Sequence, residues 1–164
     1  MTPTADRPAI PKGYGVPRDA TDLVPWSHVE RRLEETRVYW LATISGARRP
    51  YVRPVDALYV DGLIFVGGSP ETRWMQNLAS NPEVSVHLDG VDDVAIIEGV
   101  VEAVTPDRAQ AERLAAASNA KFPEYGMTVA SYEGQPTVGI RPRRAYAWTA
   151  FPKDVTRFRF PDRR

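Results

Sequence analysis

Two short stretches hold the residues best suited to chemistry. Tyr51-Val52-Arg53-Pro54-Val55 is followed, beyond a tight Asp61-Gly62 turn, by Leu63-Ile64-Phe65-Val66-Gly67-Gly68-Ser69-Pro70-Glu71-Thr72-Arg73. The order reads as strand, turn, strand, glycines and helix start. Glycines such as Gly68 let backbone approach a ligand closely. Ser69 is expected as an N-cap and Pro70 as the first helical residue. The free N–H groups and dipole of a helix start attract an anion such as phosphate. Glu71 in the first turn could satisfy that dipole instead, which leaves a plain capped helix as the alternative. Arg53 and Val55 point to one side of their strand, Pro54 and Asp56 to the other. Pro54 removes one ladder hydrogen bond and leaves neighbouring backbone available to a ligand. Arg53 could grip a phosphate or carboxylate with its fork of donors, or sit in a surface salt bridge. Arg73 is near enough to the helix start to reinforce an anion there. Asn77 could touch a ligand or cap local backbone, and Trp74 is expected to pack or to anchor an interface.

A second group lies near the end of the chain, where Tyr146 and Trp148 share a strand face beside Arg141, Arg143 and Arg144. Aromatics among arginines can bind a flat anionic ligand or single-stranded nucleic acid. The alternative is a barrel or dimer core flanked by solvated arginines. His87 shares a strand face with Ser85 and has a proton-transfer role open to it, or is simply a half-exposed structural histidine. No grouping of Ser, His and Asp suggests a hydrolase triad.

Composition narrows the classes. The 164 residues suit one domain with a real core, and 43% hydrophobic with 26% charged content is ordinary for a globular chain. Twenty-one basic and 21 acidic residues cancel, so bulk charge supports neither a nucleic-acid nor an anionic-membrane partner. With no cysteine and only His28 and His87, no metal-ligating set is visible. No apolar run approaches a membrane span, residues 1–25 lack the apolar core of a signal peptide, and the cytoplasm is the expected location.

Five prolines in residues 1–25 mark an extended arm, disordered or draped over a partner subunit. Residues 26–164 form a single domain. Ser27-His28-Val29-Glu30 reads as a capping box opening a helix to about Arg37. Strands are expected at Tyr39–Ser45, Tyr51–Val60, Leu63–Val66 and Val84–Leu88. Val94–Val104 reads as a long strand covered on both faces and bent at Gly99. Helices are expected from Pro70 to Ser80 and from Asp107 to Phe122. Thr137–Thr149 follows as a strand, with Pro142 demanding an edge or bulge, and Val155–Phe160 as a short last one. The fold is therefore mainly β with three small helices, an α+β antiparallel barrel.

Taken in order, several segments resemble the pyridoxamine 5′-phosphate oxidase-like, flavin-binding split-barrel superfamily. They are Trp40-Leu41-Ala42-Thr43, Tyr51 to Val55, Gly68 to Arg73, Asn77-Leu78, Asn81 to Val86, Glu98-Gly99, Phe151-Pro152-Lys153-Asp154 and Arg157 to Phe160. The resemblance covers about Trp26 to Phe160 and is strongest to the actinobacterial deazaflavin-dependent branch. It implies a split barrel, a homodimer with cofactor sites at the interface, and coenzyme F-420 or FMN as cofactor, with haem in some members. The implied activity is hydride transfer between F-420 and a small organic acceptor. An FMN-dependent pyridoxamine phosphate oxidase-like enzyme and a non-enzymatic flavin or haem carrier are the alternatives. By the same resemblance Arg53, Pro54 and Val55 line the ring and tail, and Gly68, Ser69, Thr72 and Arg73 hold the phosphate. Asn77 supports them, and Trp148 comes from a second copy. Trp74 stands where many relatives have Lys and Gln76 where Arg is common, so the basic complement of an ordinary FMN site is depleted.

Overall fold

Alternating burial along each strand shows how this sequence closes on itself. In the computed structural model, which describes residues 2–161, eleven regular elements appear. They run β1 (Thr4–Asp6), α1 (Trp26–Glu35), β2 (Val38–Ile44), β3 (Pro50–Val60), β4 (Leu63–Val66), α2 (Arg73–Ser80), β5 (Glu83–Leu88), β6 (Val94–Val104), α3 (Arg108–Lys121), β7 (Thr137–Trp148) and β8 (Thr156–Arg159). Six strands close an antiparallel barrel in the order β7-β4-β3-β2-β5-β6, with β6 returning to β7. Tyr39, Leu41, Ile64, Val86, Ile97, Ile140 and Phe158 fill its interior. Each such side chain contributes about 1.5–3 kcal/mol on burial. The Asp61-Gly62 turn has φ of 55° and 78°, the left-handed pair that a two-residue hairpin requires.

β4 is buried along its whole length. Ile64 and Val66 face the barrel, while Leu63 and Phe65 join Leu58, Val60, Leu114 and Phe122 in a second core under α3. β6 departs from expectation. Ala95 and Ile97 are buried, but Val94, Ile96 and Glu98 are half-buried, because their side of the sheet faces outward. Gly99 does mark a bend: the β6–β7 register shifts between Glu98 and Gly99, and a Cβ at Gly99 would lie 2.6 Å from the Arg141 carbonyl oxygen. Pro142 sits at that bulge. There β7 passes from β4, paired through Val138–Ile140, to β8, paired through Arg144–Ala147.

The arm and two helix starts also differ from the sequence reading. β1 pairs antiparallel with β8, and Arg157 grips Asp6, 151 residues away in sequence, through two 2.7 Å bonds. The arm is thus held on its own chain. α1 begins at Trp26 with Pro25 as N-cap and no side-chain cap bond, so Ser27 is not a cap. The reason is burial: Trp26 turns into the core against Phe158, with ring centroids 5.0 Å apart.

Lys121 ties α3 to α1 and β3. Its ammonium donates to the carbonyls of Leu33 (2.8 Å) and Ala57 (3.0 Å) and lies over the Tyr39 ring. Burial lowers its pKa to about 8. The unfolded chain therefore holds more protons between about pH 8 and 10.5, the ordinary lysine value, and stability rises with pH across that window. Below pH 8 the penalty is fully present. In a urea-denaturation series across the window, Lys121→Met is expected to show less of this rise than the parent; equal slopes would contradict it.

Candidate functional site

The site is built on a mismatch of strand lengths. β3 has 11 residues and β4 only 4, so their ladder ends at Ala57 opposite Val66. Among the described residues, the Pro50–Asp56 part of β3 is bonded to β2 alone. One backbone edge is left open there, which is where a strand tolerates Pro54.

Arg53 lies opposite Leu41 in the β2–β3 ladder, and Thr43 lies opposite Tyr51. Asn77 of α2 donates its amide N–H to the Thr43 hydroxyl at 3.0 Å, both residues being buried. α2 therefore covers the side of the sheet that carries Thr43, Tyr51, Arg53 and Val55. The Arg53 guanidinium is exposed, 5.9 Å over the Tyr51 ring, with one bond to the Val52 carbonyl. Arg73 is the first residue of α2 and also exposed. Among the described residues neither arginine has a carboxylate within ion-pairing distance.

The helix start lies three residues later than predicted. Ser69 and Thr72 close a turn instead, with Thr72 N–H and hydroxyl donating to the Ser69 carbonyl at 3.0 and 2.8 Å. Thr72 is the N-cap, and its side chain makes no cap bond. The first amides of α2 consequently lack a side-chain acceptor, as an anion site needs. Gly68 is required by packing: a Cβ there would come within 2.3 Å of the Trp74 indole, and Trp74 in turn packs on the barrel core.

Trp148 is not brought to this strip within one chain. It pairs with Val94 on the outer sheet side, among β-neighbours Ile96 and Tyr146, and meets Phe151 edge-on at 5.9 Å. The arginines beside it are not free either. Arg141 pairs with Glu102 and Arg143 with Glu83, each at 2.9 Å, and Arg144 pairs with Glu98 at 3.3 Å. The expected anionic-ligand surface on β7 is thus a row of cross-strand ion pairs. His87 stacks on Trp40 at 6.1 Å on the same outer side.

Tyr51 and Thr43 were missed as parts of the strip. Alternation along β2 and β3 would have placed both beside Arg53 and Asn77.

The barrel leaves a β3 edge open, and Arg53 and Arg73 have no carboxylate partner among the described residues. The family model for pyridoxamine 5′-phosphate oxidase matches residues 26–149. The chain belongs to that family. Solved structures add fold likeness alone, since all identities are low. A conserved hypothetical protein from Mycobacterium tuberculosis aligns at 21% identity with TM-score 0.63, covering 81% of this chain and 90% of that one. The haem storage protein of Vibrio cholerae aligns at 19% identity with TM-score 0.56, covering 71% and 88%. An F420 reductase aligns at 20% identity with TM-score 0.52, covering 71% and 94%. Comparison with curated proteins gives no match.

Proposed function

We propose that this pyridoxamine 5′-phosphate oxidase family member is an oxidoreductase that binds coenzyme F-420 and passes a hydride between it and a small organic acceptor. One observation carries the reading: Arg53 and Arg73 stand exposed on one side of the sheet with no carboxylate partner among the described residues, while every described arginine of β7 and β8 is ion-paired. A cation without an internal partner, next to uncapped helix amides, suits an anionic cofactor tail.

The deazaflavin ring, when bound, supplies the hydride. The protein's part is to hold and orient. Arg53 and Arg73 take the acidic tail, helped by the hydroxyl of Ser69, while the Thr72 hydroxyl, already donated to the Ser69 carbonyl, holds the turn. Pro54 and Val55 present the open edge to the ring, and Asn77 fixes α2 to β2 through Thr43. FMN offers the same phosphate chemistry, but Trp74 and Gln76 supply no extra charge for it.

Assembly belongs to the same proposal. The outer side of the barrel exposes Val38 (36%), Ile44 (40%) and Val52 (45%) beside half-buried Trp40, Ile96, Tyr146 and Trp148. Aromatic-rich apolar surface of this kind marks interface cores, and a second copy there can bring its Trp148 to the strip. Light scattering is expected to give a dimer. Val52→Glu should yield monomer and weaken F-420 binding by on the order of tenfold or more, as a charge placed in an apolar interface does. A stable wild-type monomer binding cofactor at full affinity would end the shared-site model.

A non-enzymatic haem carrier is the second reading, favoured by His87, whose ring nitrogens have no hydrogen-bond partner among the described residues. The deciding experiment titrates purified protein separately with F-420, FMN and haemin. F-420 binding is the expected result. Binding of FMN without F-420 overturns the cofactor assignment, and a Soret band lost in His87→Ala, with no F-420 binding, establishes the carrier.

A further inference from the structure

The strip carrying Arg53 and Arg73 is open surface, and a half-open hollow lies on the other side of β3. Between the outer side of β3–β4 and the end of α3 is a space of about 330 Å³, bounded among others by Leu58, Phe65, Phe122 and Met127. That is the small end of the ligand-pocket range; an apolar cavity of roughly half this size admits benzene. Gly67, next to the Gly68–Thr72 turn, forms part of its wall, and a Cβ there would meet nothing within 4 Å.

Two features of the lining define the occupant. Asp56 is its one charged residue, and the Tyr125 hydroxyl donates to that carboxylate. With no cation to receive it, an anion is repelled and left without a partner. The second feature is Ser118, which is 2% exposed yet lines the hollow. Its hydroxyl makes no side-chain hydrogen bond among the described residues and is not one of the fully buried orphan polar atoms, so it borders the space of the hollow and is open to a partner there.

We infer that this hollow binds a small, uncharged, ring-bearing molecule whose hydroxyl, carbonyl or amino group hydrogen-bonds Ser118. That this molecule is the hydride acceptor rests on the function proposed above; that it binds does not.

The test therefore uses protein without cofactor, titrated with p-cresol, toluene, benzoate and phenyl phosphate and followed by amide chemical shifts around Ser118. p-Cresol is expected to bind on the order of tenfold tighter than toluene, from one hydrogen bond that toluene cannot make. The two anions should bind at least tenfold more weakly than p-cresol, again on the order of one unpaired buried charge or more. Ser118→Ala should bring p-cresol down to the level of toluene, and Ser118→Leu should abolish both. If Ser118→Leu does not fold, Ser118→Ala alone decides. The inference falls if an anion binds as tightly as p-cresol, or if p-cresol is indifferent to the substitution. It falls equally if no probe binds, as when a side chain of a second copy fills the hollow. Binding of p-cresol without binding of F-420 would leave this inference standing and remove the proposed function; the converse would do the opposite.

Discussion

Replacing Arg73 with alanine is expected to weaken F-420 binding by about 2 kcal/mol, roughly thirtyfold, the worth of a charge-assisted hydrogen bond to an acidic tail. Arg73 is exposed and makes no ion pair among the described residues, so its loss costs the fold little, within about 0.5 kcal/mol. Dimerisation should be unchanged. Arg73→Lys keeps the charge but loses the planar fork, and should recover part of the affinity. The deficit should shrink as salt rises, since exposed charges are screened. Calorimetric titration of parent and variants measures all of this. An unchanged dissociation constant in Arg73→Ala would remove Arg73 from the site.

Stability should suffer heavily at Phe158. This ring is 1% exposed, lies 5.0 Å from Trp26 and sits on β8, which links the barrel to β1. Phe158→Ala removes an aromatic ring from a site walled by a helix and two strands, which limits collapse around the void. The expected loss is about 3–5 kcal/mol, a large part of the total stability of a domain. Urea unfolding should show a lower midpoint at nearly constant slope. A loss below about 1 kcal/mol would mean that the end of the barrel repacks freely.

Local patterns carried most of the strands. Val84 to Leu88 alternates because one side faces the barrel, and Asp61-Gly62 can hardly be anything but a hairpin turn. Pro142 and Gly99 together announced the bulge before their strands could be seen to meet. The helix starts were harder. Ser69-Pro70 has the chemistry of a cap, but Thr72 bonds back to Ser69 and closes a turn first, and the Trp74 ring takes the space over Gly68. Trp26 enters a helix without a capping side chain because its ring is worth more in the core than a cap bond is at the surface. What stayed hidden was long-range. Asp6 gives no local sign of Arg157, and the arginines at 141, 143 and 144 looked free until the register with β5 and β6 supplied their glutamates. Arg53 and Arg73 were legible as candidates, whereas their lack of partners became visible only in three dimensions.

The unequal lengths of β3 and β4 have a consequence for solubility. Half of a long strand with unmet backbone donors and acceptors is a template onto which another chain can add itself. Pro50 and Pro54 interrupt that template, and Arg53 places a charge on it. The same few residues that would offer the edge to a small molecule under the proposed function also close it to a foreign strand. Substitutions that make this stretch a smoother, more apolar strand trade one kind of partner for the other.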